Sequence, residues 1–272
     1  MEQNPRALYL FCFARSSLLG EIEGAGVDGH EPLGLFRHSA DLCAVVSEVP
    51  REDFCGPAAD AQIQQLAWVG PRALRHEAVV EQVMRRSPVL PARFGTLFSS
   101  KESLAEFLDI HRQRIAQFLE RVTGQEEWSV RGLLRRKQAG EALIAASQVA
   151  QEAELATLPP GTRYFQEKHI RAEAEKGLSR WLDETCREAA NTLLKQASDF
   201  RECQVLPLEP PESGAEVVLN WAFLLPRDAA AAFRTLVKGL SSRLAPQGLV
   251  FELSGPWPPY RFVPPLTMGT AP

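Results

Sequence analysis

Short apolar runs bounded by turn residues mark several strands in the first half of this chain. The run at residues 8–13 predicts a strand, and the runs at 33–37 and 42–48 predict the two arms of a β-hairpin. A further extended piece, residues 89–90, lies between two prolines, which cannot continue a helix. The N-terminal part is therefore expected to contain a sheet.

Apolar positions three and four residues apart predict helices around these strands. Helices are expected over residues 58–68 and 72–86, the second introduced by Pro71 at its start. Ser100 or Ser103 is suited to cap a third helix, which Gly124 ends. The apolar stripe of that helix consists of Leu104, Phe107, Leu108, His111, Ile115, Phe118, Leu119 and Val122.

The second half of the chain shows patterns in the order β-α-β-β-α-β. Strands are expected at residues 127–134, 203–206, 217–225 and 249–253. A helical region starts at Ala139 and leads into a long helix ending near Phe200, and another helix covers residues 228–244. The long helix has an apolar stripe made of Tyr164, Phe165, Leu178, Trp181, Leu182, Cys186, Ala189 and Leu193.

This order predicts an α+β protein of two domains. The N-terminal α+β domain is expected to span residues 1–125. The C-terminal domain, residues 126–272, is expected to be ferredoxin-like, with an antiparallel sheet backed by helices on one face. Each domain has the length to bury its own core.

The C-terminal domain is expected to end in an extended, proline-rich tail. Residues 255–262 read Gly-Pro-Trp-Pro-Pro-Tyr-Arg-Phe, and the three prolines fix φ and remove backbone donors, so this segment cannot be a central strand or a helix. It carries large aromatic side chains and offers no nucleophile, base or metal ligand. Packing and contact are the expected uses of the tail.

Composition and charge limit the classes of function that this chain is expected to have. The chain has 272 residues, a net charge of -4 and a pI near 5.8, which do not favour binding to nucleic acid. No apolar stretch approaches the length of a membrane span, and a cytoplasmic location is expected. The five cysteines are scattered without a C-x-x-C pair, and Cys12 and Cys43 lie in apolar strands as small buried side chains.

Motifs that would indicate an enzyme are absent or out of context. Residues 24–29 match G-x-G-x-x-G, but no strand precedes them directly and no helix follows, so a loop is expected instead of a dinucleotide site. His76-Glu77 lacks the second histidine of a zinc site, because Val80 stands one turn on. No nucleophile elbow or P-loop occurs. The sequence therefore predicts no catalytic residue, cofactor or metal.

A series of aromatic and arginine landmarks is the most specific feature. In order these are Trp68, His76-Glu77, Pro91-Ala92-Arg93-Phe94-Gly95-Thr96, Glu127-Trp128-Ser129-Val130-Arg131, Gly161-Thr162-Arg163-Tyr164-Phe165 with Lys168, and the segment from Gly255 to Phe262. Taken together they resemble the gas vesicle GvpF/GvpL family over nearly the whole chain. Ala92, Arg131 and Arg261 depart from the residues usual in that family, which leaves F-type or L-type open.

The resemblance implies a role in gas vesicle assembly. Members are accessory proteins that associate with the small hydrophobic shell protein and other accessory proteins, and no catalytic activity is attributed to them. The alternative is a small-molecule- or nucleotide-dependent enzyme that uses a cleft between the domains. Thermal-shift screening against nucleotides and metals would distinguish the two.

Six residues are candidates for structural or partner contact: Arg93, Phe94, Trp128, Trp257, Tyr260 and Phe262. The tail aromatics either contact shell subunits or pack the tail over the fold, and packing is favoured because buried aromatics usually stabilise. Arg93 is expected to form a structural ion pair with Glu77, since a guanidinium in an apolar neighbourhood needs an acidic partner.

Overall fold

The computed structural model describes residues 6–151, 155–205 and 214–266, and the chain forms two compact units. The first consists of residues 1–126 together with 257–272, and the second of residues 127–256. The tail thus groups with the first unit, although the sequence pattern assigns it to the C-terminal domain. The reason is packing, since Pro258, Pro259 and Phe262 are buried and Tyr260 lies against His76 of the first unit.

The first unit contains an antiparallel sheet of five strands: β1 (Arg6–Ala14), β2 (Gly34–Arg37), β3 (Cys43–Pro50), β4 (Val89–Pro91) and β5 (Leu97–Phe98). The strands lie in the order β2-β3-β1-β4, and β5 also pairs with β1. The predicted hairpin is confirmed, because β2 pairs with β3 from Gly34 opposite Val46 to Arg37 opposite Cys43.

Strand β1 is central and is buried from Ala7 to Ala14. A β-bulge at Phe11, between the pairs Leu10 with Val46 and Cys12 with Val45, shifts the alternation of side chains between the two faces. Tyr9, Phe11 and Cys12 therefore belong to one core cluster, whereas Phe13 stacks on Phe107 with ring centroids 5.9 Å apart. Burial on both faces explains the continuous apolar run.

Three helices accompany this sheet: α1 (Pro57–Ile63), α2 (Leu66–Met84) and α3 (Lys101–Arg121). The predicted boundary between the first two is wrong, because α2 begins at Leu66 and contains Pro71 in its interior. The prediction that a serine caps α3 is confirmed. Ser100 Oγ accepts from Ser103 N at 3.3 Å, and Ser103 Oγ accepts from Ser100 N at 3.2 Å.

The second unit contains an antiparallel four-stranded sheet: β6 (Gln125–Leu134), β7 (Asp199–Glu202), β8 (Glu216–Pro226) and β9 (Leu249–Trp257). The strands lie in the order β7-β8-β6-β9. The strand expected at residues 203–206 lies earlier, at β7, and Leu206 is outside the described residues. Strand β9 extends through Pro256, which its position at the edge of the sheet permits.

Its helices are α4 (Arg136–Ala150), α5 (Pro160–Leu194) and α6 (Ala230–Leu244). The apolar core unites α5 residues such as Leu178 and Leu193 with Phe233 and Val237 of α6 and with the sheet. Six of the eight residues of the predicted stripe on α5, from Leu178 to Leu193, belong to this core or pack against it, so this part of the stripe is confirmed. Its first aromatics are not in the core, since Tyr164 is 61% exposed and Phe165 is 71% exposed.

Candidate functional site

The six candidate contact residues divide evenly between buried, half-buried and exposed positions. Trp128 is buried in the core of the second unit, and Phe262 is buried in the first. Phe94 is half-buried against the ring of Tyr9, with centroids 6.1 Å apart. Trp257 is 37% exposed. Arg93 is also exposed, and Tyr260 is half-buried.

His76 is the centre of a buried hydrogen-bonded network in the first unit. Its Nε2 lies 3.2 Å from the carbonyl oxygen of Ala92, which only accepts, so Nε2 carries the proton. Its Nδ1 then accepts from the Tyr9 hydroxyl at 2.8 Å, and that hydroxyl oxygen accepts from Gly95 N at 3.2 Å. The network ties α2 to β1 and to the 91–96 segment.

This network fixes the charge state of His76. Each polar atom is satisfied only when the imidazole is neutral, because a proton on Nδ1 would remove the acceptor of the Tyr9 hydroxyl. Burial lowers the pKa of His76 to about 4, partly offset by the hydrogen bond to Ala92. Burial also raises the pKa of the Tyr9 hydroxyl. His76 is thus a core residue whose two ring nitrogens both take part in hydrogen bonds.

Glu77, beside His76 on α2, faces the tail residue Tyr260. Burial raises the pKa of Glu77, and the nearby Tyr260 hydroxyl lowers it in part. Burial and the Glu77 carboxylate raise the pKa of Tyr260. The groups are close, yet neither Glu77 Oε1 nor the Tyr260 hydroxyl has a partner at standard hydrogen-bond geometry among the residues that the structure describes. The ring of Tyr260 lies over His76 at a centroid distance of 6.5 Å.

The predicted ion pair between Arg93 and Glu77 is wrong. Arg93 is exposed, and it has no ion pair with Glu77 in the described part of the chain. Phe94 and Leu97 pack against the core cluster of the first unit, whereas the Arg93 side chain is exposed. The position near Glu77 is taken by Tyr260, which the sequence does not place there.

The glycine-rich loop, residues 24–29, packs against α2. Asp28 Oδ1 accepts from His30 N at 2.9 Å, and Arg75 Nη1 donates to Val27 O at 2.8 Å. Gly26 allows close approach to Ser47, whose Cβ would lie 2.5 Å from an added Cβ. The expectation that residues 24–29 form a loop is confirmed.

The outward side of α2 between Leu66 and Ala78 is a surface that sequence reasoning missed. Leu66 is 81% exposed and Leu74 is 75% exposed, the highest values among large apolar residues of the described chain. Every exposed residue in this stretch is uncharged, whereas Glu77 on the same side is half-buried. We call this surface the α2 face; it comprises Leu66, Ala67, Gly70, Pro71, Leu74 and Ala78. Recurrence of apolar residues every fourth position could have revealed it, had the helix boundary been placed correctly.

A second surface lies along the edge strand β2. A groove of about 550 Å³ runs beside it, with apolar walls that include Leu8, Phe36 and Val46. Its rim is charged, because Arg6 binds Glu31 at 2.5 Å and Glu48 at 3.0 Å. Arg37 and Lys101 add two more charged side chains. Charges along an edge strand discourage pairing with another strand.

A third surface is the first part of α5. Tyr164 and Phe165 are exposed there, and so are Lys168 and Arg171, which share the side of Tyr164 at helical spacing. Neither cation has an ion-pair partner within the described residues, whereas Glu173 is paired with Lys176 at 3.0 Å. This surface combines aromatic rings with positive charge.

Within residues 6–151, 155–205 and 214–266, no group of three or more His, Cys, Asp or Glu side chains is placed to hold a metal ion. In the same part of the chain, no helix is both long and apolar enough to cross a membrane. All five cysteines are free, and Cys12 and Cys43 are fully buried, as predicted.

Comparison with known proteins gives a consistent family. A family model described as "Gas vesicle synthesis protein GvpL/GvpF" matches residues 7–264. The chain is 31% identical over 242 residues to gas vesicle protein L of Streptomyces sp. (strain CB03234), covering 88% of this chain and 86% of that protein. It is 26% identical over 258 residues to gas vesicle protein F of the same strain, covering 94% and 98%.

Two solved structures share the fold. The crystal structure of gas vesicle protein GvpF from Anabaena sp. PCC7120 superposes with a TM-score of 0.69 at 18% identity and covers 95% of this chain and 96% of that one. The crystal structure of GvpF from Microcystis aeruginosa gives a TM-score of 0.66 at 17% identity, with coverages of 95% and 99%. Both comparisons cover nearly the whole chain.

Proposed function

The chain belongs to the GvpL/GvpF family of gas vesicle synthesis proteins, and from this premise we propose that it is an accessory protein of gas vesicle assembly. In this role it binds the hydrophobic shell protein and other accessory proteins in the cytoplasm, at growing gas vesicles. It performs no catalytic step.

The observation that carries the proposal is the extent of the family match, which runs from residue 7 to residue 264. A match of this length includes both units and the tail, so it does not rest on one shared module. The exposed apolar surfaces support a binding role, because contiguous apolar patches on a protein surface usually mark contacts with partners.

The second unit supports the same assignment at the level of fold. We propose that it is ferredoxin-like, with α4 and α5 together in the place of the first helix, since its elements follow the order β6-α4-α5-β7-β8-α6-β9 and its strands lie in the order β7-β8-β6-β9. That architecture hosts many unrelated functions, so it adds no chemistry of its own. The function is therefore argued from the surfaces.

Affinity purification tests the binding role. The tagged chain is co-expressed with the shell protein alone, and in a second culture with the remaining accessory proteins without the shell protein. We expect the shell protein to co-purify in the first culture and accessory proteins in the second. Failure to capture the shell protein, together with normal vesicle formation in cells that lack this chain, would contradict the proposal.

Vesicle washing then tests where the protein acts. Antibody detection is performed on isolated vesicles before and after washing with salt and with urea. A bound component of the vesicle persists through salt, whereas a transient assembly factor is found in the soluble fraction. Absence from both unwashed vesicles and shell-protein complexes would contradict a direct role.

A further inference from the structure

A short part of the tail, residues 258–262, packs against the first unit, and we call it the strap. Pro258, Pro259 and Phe262 are buried, and Tyr260 is half-buried. The ring of Tyr260 lies over His76 of α2 with the centroids 6.5 Å apart. Strap and helix belong to the same compact unit. The strap therefore covers part of α2.

The strap has a turn of its own that does not involve α2. Tyr260 N donates to Pro258 O at 2.7 Å, and Phe262 N donates to Pro259 O at 3.2 Å. Prolines on both sides of the turn restrict φ whether or not the strap is docked. Leaving α2 therefore breaks none of these backbone bonds and frees few backbone torsions, so the strap is suited to move as one piece.

The carboxyl group of Glu77 lies under the docked strap. Its Oε1 is closed to solvent, and within the described chain neither this atom nor the Tyr260 hydroxyl has a partner at standard hydrogen-bond geometry. A charged oxygen that is buried without a partner is costly. Departure of the strap returns the carboxylate to water and removes that cost. Docking and ionisation of Glu77 therefore oppose each other.

The groups around Glu77 act in the same sense. Burial raises the pKa of Glu77, the Glu81 carboxylate one turn along α2 raises it further, and the Tyr260 hydroxyl offsets this in part. From β1, Tyr9 and Cys12 help to keep the Tyr260 hydroxyl protonated, because both raise its pKa. The net effect of these groups favours a protonated Glu77 beneath the strap.

From this geometry we propose that the strap is a proton-linked latch, which docks on α2 when Glu77 carries a proton and loosens when Glu77 ionises. The proton comes from solvent and binds the Glu77 carboxylate on docking. This device belongs to the fold of the first unit and does not depend on the partners of the protein.

The direction of the pH effect follows from linkage. The docked form has the higher pKa at Glu77, so it binds more protons than the undocked form. Docking is strongest below the ordinary pKa of 4.5 and weakens as pH rises through the raised value. Between the two pKa values the docking equilibrium changes by up to about tenfold per pH unit.

Hydrogen exchange of the full chain measures this opening directly. Exchange of the amides at residues 260–263 is followed by mass spectrometry between pH 5 and pH 8, above the pKa of about 4 at His76. Wild type and Glu77→Gln are compared at the same pH, which removes the intrinsic pH dependence of exchange. Amides at residues 9–13 of the central strand β1 report unfolding of the whole unit.

We expect the wild type to exchange faster than Glu77→Gln in the strap, with a ratio that grows with pH. A pKa difference of half a unit already gives a ratio of about threefold at pH 8. Glu106→Gln removes an exposed carboxylate from α3 and should follow the wild type. A ratio that does not change with pH would overturn the latch. So would an equal ratio at β1, because the opening would then be global.

Tyr260→Phe provides a second test that leaves Glu77 in place. The ring remains to pack against His76, but the hydroxyl that lowers the pKa of Glu77 is gone. We therefore expect strap exchange to rise more steeply with pH than in the wild type. A Tyr260→Phe profile parallel to that of the wild type would contradict the coupling of strap and carboxyl group, even where Glu77→Gln fails to fold.

Discussion

At the scale of single residues, the Tyr9 hydroxyl is the link on which the His76 network depends. It satisfies both His76 Nδ1 and Gly95 N in the core of the first unit. We predict that Tyr9→Phe lowers the free energy of unfolding by about 1–3 kcal/mol, because two buried polar groups lose their partner. Tyr164→Phe removes the same hydroxyl from a ring that is 61% exposed and should change stability by less than about 0.5 kcal/mol. Urea unfolding measures both, and equal effects would contradict the network.

For the neighbouring residues His76 and Glu77, we predict opposite effects of pH on the stability of the fold. Folding lowers the pKa of His76 from about 6.5 in the unfolded chain to about 4. Between these pH values the unfolded chain binds more protons than the folded chain, so stability is lost as pH falls from 6.5 to 4. The pKa of Glu77 is raised, so the folded chain binds more protons above pH 4.5 and stability is lost as pH rises through that range. In the wild type the two effects partly cancel.

The Glu77→Gln variant separates the two pH effects, because the amide keeps the shape of the side chain without its charge. We predict that the variant is at least as stable as the wild type near pH 7 and loses stability more steeply on acidification from pH 6.5 to 4. Unfolding free energies measured by denaturant titration at several pH values test this. A variant whose pH dependence runs parallel to that of the wild type would show that Glu77 does not titrate abnormally.

At the scale of elements, the landmark glycine of the tail serves strand packing. Gly255 has φ of 135°, and an added Cβ would lie 2.9 Å from Glu127 O and 3.2 Å from the Trp128 ring. We predict that Gly255→Ala lowers the free energy of unfolding by about 2 kcal/mol or more, from overpacking and strain. Gly177→Ala is the matched control inside α5, with no neighbour within 4 Å of the new atom, and should be neutral or stabilising. A tolerated Gly255→Ala would contradict the close approach of β9 to β6.

Elements with strong local signals were predictable from the sequence. The hairpin of β2 and β3 and the serine cap of α3 have local causes, alternation and side-chain capping. The start of α2 was not predictable in this way, because Pro71 is tolerated inside the helix although it cannot donate to the Ala67 carbonyl. The contact of Tyr260 with Glu77 joins residues far apart in the chain, and no local pattern specifies it.

At the scale of the whole molecule, the tail residues up to Phe262 complete the first unit. Phe262 is only 3% exposed, and the tail groups with residues 1–126. We predict that Phe262→Ala lowers the free energy of unfolding by about 3–5 kcal/mol, as for other buried phenylalanines. Phe165→Ala removes an equal side chain that is 71% exposed and should have little effect on stability. Thermal unfolding compares the two, and similar midpoints would show that the tail is not part of the core.

Loss of stability should reduce gas vesicle formation through the amount of this protein in the cell. A chain weakened in its core populates unfolded forms that cells degrade, so Phe262→Ala should lower both its own steady-state amount and the yield of vesicles. Phe165→Ala changes only an exposed residue, so we predict a wild-type amount of protein. Complementation of cells that lack this chain, with vesicle yield followed by buoyancy and protein amount by immunoblotting, compares the two variants. A wild-type amount of the Phe262→Ala protein would contradict the role of the tail in stability, since degradation follows the unfolded population.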